Sequence, residues 1–219
     1  MIRIVVIDSG VHAAHPHVQG VAGGVGVAAD GALHDDYLDR LGHGTAVAAV
    51  IREKVPDAEL LAARIFDREL AATGAALVAA LRWAVARQPA LINLSLGTTN
   101  AAHRDALAEV VHAAVEARVA IVAAAPTAES PWLPGALPRV VAVHLDWSIP
   151  RDRMEVAHQG PGRLDLRASG FPRPAPNVDP ERNLKGVSFA VANATGLLAI
   201  ALRQNRALLD KTVFSSSNY

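Results

Sequence analysis

The stretch IRIVVIDSG, residues 2–10, decides the fold. Its first six residues are almost all β-branched and apolar, with Arg3 as the one break, and they end on Asp8 before a Ser9-Gly10 turn. A strand exposed on one face would alternate apolar with polar residues. A run without that alternation points to a strand covered on both faces, which is the habit of parallel sheets. Three more runs have the same character: ALINLSL (90–96), VAIVAAA (119–125) and RVVAVHL (139–145).

Amphipathic helix candidates lie between these runs. Thr45–Glu53 follows a Gly-rich turn, Thr73–Arg87 carries a threonine able to cap it, and His103–Ala117 lines Leu107, Val110, Val111 and Val115 along one side. A last helix is expected from Ser188 to Leu209. Strands alternating with helices of this length predict an α/β chain, a doubly wound three-layer sandwich with a mostly parallel central sheet. Two segments break the rhythm. Residues 20–41 are rich in Gly and Asp and read as a surface loop. Residues 146–185 hold Pro150, Pro161, Pro172, Pro174, Pro176 and Pro180, with Leu164–Arg167 as a short strand candidate. One domain over 1–210 is expected, followed by a flexible tail over 211–219.

With 51% hydrophobic and 19% charged residues, the chain is neither disordered nor a coiled coil. Lys and Arg balance Asp and Glu at 21 each, so no global field favours nucleic acid or an anionic membrane. The absence of cysteine excludes disulfides, thiolate metal sites and cysteine nucleophiles. The N-terminus opens as a strand rather than as a signal peptide, and no apolar run approaches 18 residues without a charge. A cytoplasmic protein without a membrane span is expected. Oligomeric state is not set by the sequence.

In open α/β sheets, ligand sites collect beyond the carboxyl ends of the strands. Asp8 ends the first run, His43 sits in GHGTAVAAVI at a helix start, and Ser188 sits in GVSFA at another. Singly, these are a turn residue, a loop histidine and a helix cap. Together they supply a carboxylate, an imidazole and a hydroxyl. A serine hydroxyl attacks once a neutral imidazole takes its proton, and a buried carboxylate fixes the tautomer of that imidazole. A helix start beneath the serine adds N–H donors for a developing oxyanion. A nucleotide-binding reading fails, because no strand is followed by GxGxxG and GGVGVAADG (23–31) lacks the flanks.

At this point the chain resembles the subtilisin-like serine proteases. VVIDSGVHAAHPHV (5–18) is similar to their aspartate motif, HGTAVAAVI (43–51) to their histidine motif and GVSFAVANATG (186–196) to their serine motif. The order Asp, His, Ser is also that of subtilisin. INLSLGT (92–98) resembles the segment that pairs with substrate through Ser95, Leu96 and Gly97, and VAIVAAAPTAESPWLPGALPRVVAV (119–143) the oxyanion loop with its flanking strands. The resemblance implies a serine endopeptidase working through an acyl-enzyme, with Asp8, His43 and Ser188 as triad and a peptide or protein as substrate. It implies a second substrate edge at Leu70, Ala71 and Ala72.

The departures are local. Pro126-Thr127 stands where the family has its oxyanion asparagine, so Thr127 and the N–H of Ser188 are the expected oxyanion donors. Val187 and Phe189 flank the serine, Ala192 replaces a proline, and Ala46 follows HGT where histidine is common. REKVP (52–56) leaves no room for an inserted calcium loop, and His17 replaces a ligand aspartate, so no metal and no cofactor are expected. His12, His15 and His17 read as a solvated loop. Trp132 falls at the floor of the primary specificity pocket, where it would favour a small residue; Glu129 at the rim would favour a basic one. No inhibitory pro-segment is expected, so the chain either folds unaided in the cytoplasm or is a trimmed form. A compact peptidase of this kind suits trimming of a precursor or leader peptide. The alternative is a catalytically weak or inactive module that binds an extended peptide.

Overall fold

The computed structural model describes residues 1–174 and 183–215. Pro176 and Pro180, and the last four residues of the expected tail, lie outside the described residues. Nine strands form one sheet: β1 Arg3–Asp8, β2 Gly23–Val27, β3 Leu33–His34, β4 Glu59–Arg64, β5 Leu91–Leu94, β6 Ala120–Ala124, β7 Val141–Leu145, β8 Met154–Gly160 and β9 Arg163–Ala168. Their spatial order is β3-β2-β4-β1-β5-β6-β7-β9-β8. From β2 to β9 every neighbouring pair is parallel, and the antiparallel β3 and β8 close the two edges.

Alternation along β1 explains the sandwich. Ile4 and Val6 face the layer of α1 (His43–Lys54) and α4 (Val187–Gln204), while Val5 and Ile7 face α2 (Gly74–Ala86) and α3 (Arg104–Glu116). Both faces are covered, so the strand carries no polar alternation. α4 is long and apolar enough to span a bilayer by length and composition alone. Its apolar length packs inside the molecule, where Ala190, Val191, Ala194 and Leu198 join the core of α1 and the central strands.

Several boundaries differ from expectation. α4 ends at Gln204 rather than Leu209, and a series of turns follows. Thr212 and Val213 are buried and Gly162 N donates to Thr212 O at 2.8 Å, so the expected tail is packed at these two residues. The 20–41 segment contains β2 and β3, and 146–185 contains β8 besides β9. β2 is built on Gly23, Gly24 and Gly26, whose composition signals loop; only pairing with β4 makes it a strand. β4 itself, ELLAAR, is an apolar run whose alanines blunt its β signal.

Candidate active site

Asp8 closes β1, His43 opens α1, and Ser188 is the second residue of α4, all at the carboxyl edge of the sheet. Glycine fixes the first approach. A Cβ on Gly44 would fall 2.2 Å from Gly10 O and 3.1 Å from Asp8 Cβ, so the helix start seats against the strand end only with glycine there.

The N-cap of α1 is Gly42, which has no side chain to offer. The orphan N–H groups are satisfied from elsewhere. Gly44 N donates to Ser9 Oγ at 2.9 Å, and Ser9 Oγ donates to Asp39 Oδ1 at 2.8 Å. Asp39 Oδ1 also accepts from Leu41 N and Gly42 N at 2.9 and 2.8 Å. Asp39 Oδ2 accepts from Thr45 N and Thr45 Oγ1 at 2.8 and 2.5 Å. Five donors therefore converge on one buried carboxylate. Burial pushes the Asp39 carboxyl up, but these hydrogen bonds outweigh it and hold the pKa below its ordinary value. Sequence reading missed Asp39; the available signal was an acidic residue just ahead of a helix start.

His43 Nδ1 lies 2.7 Å from Asp8 Oδ1, which also accepts from Ser9 N at 2.7 Å. A carboxylate only accepts, so Nδ1 carries the proton and Nε2 keeps its lone pair. Asp8 is fully buried, and its Oδ2 has no partner among the described residues. Burial lowers the pKa of His43, but the hydrogen bond and charge of Asp8 and the charge of Asp39 overcome it and raise the net value. Phe189, 2% exposed, walls the imidazole with ring centroids 5.8 Å apart.

The Ser188 hydroxyl donates to Ser95 O at 3.2 Å, and among the described residues it has no hydrogen bond to His43. Ser95 Oγ donates in return to Ser188 O at 3.3 Å. Asn93 Nδ2 donates to Ser95 Oγ at 2.9 Å, and Thr195 Oγ1 donates to Asn93 Oδ1 at 3.0 Å. A buried polar chain thus ties the third turn of α4 through β5 to the serine.

One groove of about 320 Å³ is lined by His43, Ser188, Ser95, Leu96, Gly97 and Trp132, and also by Leu70, Ala71 and Ala72. The main-chain N–H and C=O groups of Leu96 and Gly97 have no backbone partner among the described residues. That leaves them open for strand pairing. Trp132 lies against this segment, since a Cβ on Gly97 would fall 3.1 Å from its Cε3. Thr127 and Glu129 do not line the groove. Both stand in an exposed turn that closes on itself: Thr127 N donates to Ser130 O at 2.9 Å, and Thr127 Oγ1 accepts from Ser130 N at 3.1 Å. No side-chain amide lines the groove among the described residues. The described residues hold no group of three or more His, Asp or Glu placed to bind a metal ion.

A doubly wound sheet whose carboxyl edge gathers a buried aspartate, a histidine bonded to it and a serine at a helix start has the subtilisin-like fold. Solved structures agree: a lanthipeptide protease superposes with a TM-score of 0.71 at 19% identity, over 96% of this chain and 75% of the other. The prenylagaramide maturation protease PagA gives 0.67 at 24%, over 94% and 78%. The Subtilase family model matches residues 1–214, and the chain belongs to that family. A thermostable alkaline protease of Halalkalibacterium halodurans is 32% identical over 132 residues, which is 56% of this chain and 35% of that protein. The chain thus aligns with about a third of the length of that relative.

Proposed function

We propose that the protein is a serine endopeptidase with Asp8, His43 and Ser188 as its triad. The observation that carries this reading is the 2.7 Å bond between His43 Nδ1 and buried Asp8, with His43 and Ser188 lining one groove. Family membership supports it. In this reading the Ser188 hydroxyl leaves Ser95 O and donates to His43 Nε2. His43 takes the proton as Oγ attacks the carbonyl carbon of the scissile bond. The tetrahedral oxyanion is met by the N–H of Ser188 at the start of α4, with the Thr127 hydroxyl able to donate only after its turn moves. Collapse expels the amine, which receives its proton from His43 and leaves an acyl-enzyme on Ser188. A water then gives its proton to His43 and its oxygen to the acyl carbon, releasing the acid and restoring Ser188.

The substrate lies extended between Leu96-Gly97 and Leu70–Ala72, with Trp132 shortening the pocket for the residue before the bond. A precursor or leader peptide with a small residue there suits this compact groove. The second reading, a binding module of low activity, is favoured by the hydroxyl of Ser188 resting on Ser95 O and by the lack of an amide donor in the groove.

Labelling with a fluorophosphonate probe decides between them. Labelling of the wild type that vanishes in Ser188→Ala and in His43→Ala supports the peptidase. A folded wild type that never labels, even with peptide present, overturns it. Under the peptidase reading each variant loses about 10⁵–10⁶ in kcat, the scale known for the triad of subtilisin itself.

A further inference from the structure

Against the first turns of α1, beside His43 in sequence, lies a second cleft of about 370 Å³ that the chemistry above does not use. It is lined by His12, His15, His17 and Arg173, and it reaches the first turn of α1 at Gly42 and Thr45. The rings of His15 and His17 meet edge to face with centroids 5.2 Å apart. His17 N donates to His15 Nδ1 at 3.2 Å, so the neutral His15 ring carries its proton on Nε2.

The charges around the cleft are one-sided. Arg173 has no ion pair among the described residues, while its main-chain carbonyl accepts from Asn183 Nδ2 at 3.3 Å. From the loop before α1, Asp39 faces the cleft with both oxygens consumed by five donors. From α1, Glu53 is held by Arg151, and Arg52 spends its guanidinium on the carbonyls of Val18, Gly20, Pro56 and Ala58. Among the described residues, three imidazoles and a guanidinium therefore line the cleft with no carboxylate left free to pair with them. A carboxylate oxygen is the acceptor that such a set takes.

We propose that this cleft binds an acidic side chain of the peptide substrate, on the leaving-group side of the scissile bond. The inference rests on the peptidase reading, which places the residues before the bond in the Trp132 groove and so sends those after it past His43 toward the histidines. Its strength rises in acid. Burial, the charge of Arg173 and the neighbouring His15 hold the pKa of His17 below the usual imidazole value, against a smaller opposite pull from Glu53. Arg173 is the fixed cation of the cleft, and the charge that His17 can add comes only in acid.

The test scans one Glu, or one Gln, through the first four positions after the cleavage site of a dye-labelled peptide. Binding to the Ser188→Ala protein is read by fluorescence anisotropy at pH 5.5 and pH 8. At one position Glu binds about five- to tenfold tighter than Gln at pH 5.5, and the preference shrinks to about twofold at pH 8. Arg173→Gln and His17→Gln each reduce it while leaving the affinity of the Gln peptide unchanged, which reports an intact fold. Equal binding of Glu and Gln everywhere, or a preference that survives both substitutions, overturns the proposal. Fluorophosphonate labelling of the wild type separates the two layers. Labelling without Glu preference rejects the cleft and keeps the peptidase. No labelling and no binding of either peptide rejects both.

Discussion

The two halves of the site are held to different degrees. On the β1–α1 side, Asp8, Ser9, Asp39, His43 and Thr45 form one buried network in which a single carboxylate accepts five hydrogen bonds. On the β6–α4 side, the serine hydroxyl rests on a main-chain carbonyl at 3.2 Å, and Thr127 sits in an exposed turn outside the groove. On the peptidase reading, the base is oriented before substrate arrives, while neither the serine proton nor the charge on the oxyanion is yet met. Fixed donors contribute most when no reorganisation is needed at the moment of reaction. The difference teaches that the rate of this site should be set by its oxyanion side rather than by its base.

The largest effect that could break this comparison is at Asp8. Asp8→Asn keeps the shape but offers His43 an amide N–H, so the imidazole takes the wrong tautomer and kcat falls about 10⁴-fold. A loss under tenfold in steady-state kinetics would show that the prepared half is not used. Asp39→Asn is next. It leaves converging donors short of acceptors in a buried place and costs about 2–4 kcal/mol in denaturant unfolding. It also moves the acid limb of kcat/KM. His43 must be neutral to act as base, so activity rises with pH through its raised pKa, with a midpoint above 6.5. Removing the charge of Asp39 shifts that midpoint downward. For stability the sign is opposite: the raised pKa stabilises the fold below the unfolded-state value, and that contribution is lost as pH climbs through the folded one.

Thr127→Asn sharpens the other half. An amide, which reaches one bond further than the hydroxyl, raises kcat by about ten- to a hundredfold, while Thr127→Ala changes it by less than about twofold. A large loss in the alanine variant would place the threonine hydroxyl at the oxyanion after all. The smallest effect is at the far end of α1. Lys54 is nearly buried against Gly196, and desolvation, with the charge of Arg151, pushes its ammonium down to about 8. Its folded pKa lies below the unfolded one, so stability rises with pH between about 8 and 10.5. Lys54→Met removes that slope and gains about 1–2 kcal/mol at pH 7, with the pH-rate profile unchanged. A steeper or inverted slope would refute the assignment.

Much of this was legible in the chain. The four apolar runs, the Thr73 cap and the three polar residues at a strand end and two helix starts are local patterns, and local patterns survive in a linear reading. The cap bond itself is observed, Thr73 Oγ1 accepting from Ala76 N at 3.1 Å. Less was legible where partners are distant. β2 and β4 define each other by pairing, and neither GGVGV nor ELLAAR alone has the β-branched signature of β1. Asp39 looked like one more acid in a loop because its donors come from residues 9 and 41–45. Thr127 aligned with a donor position, yet the Thr127–Ser130 turn keeps it out of the groove.

Sequence by itself determined the doubly wound architecture and the family, because both are written in short motifs whose spacing and order need no contacts to read. Tertiary structure alone decided how the site is held. The bond from Ser188 to Ser95 spans 93 residues and that from His43 to Asp8 spans 35. Hydrogen bonds and desolvation act over a few ångströms in space, so their sum is fixed only when the chain has brought those residues together.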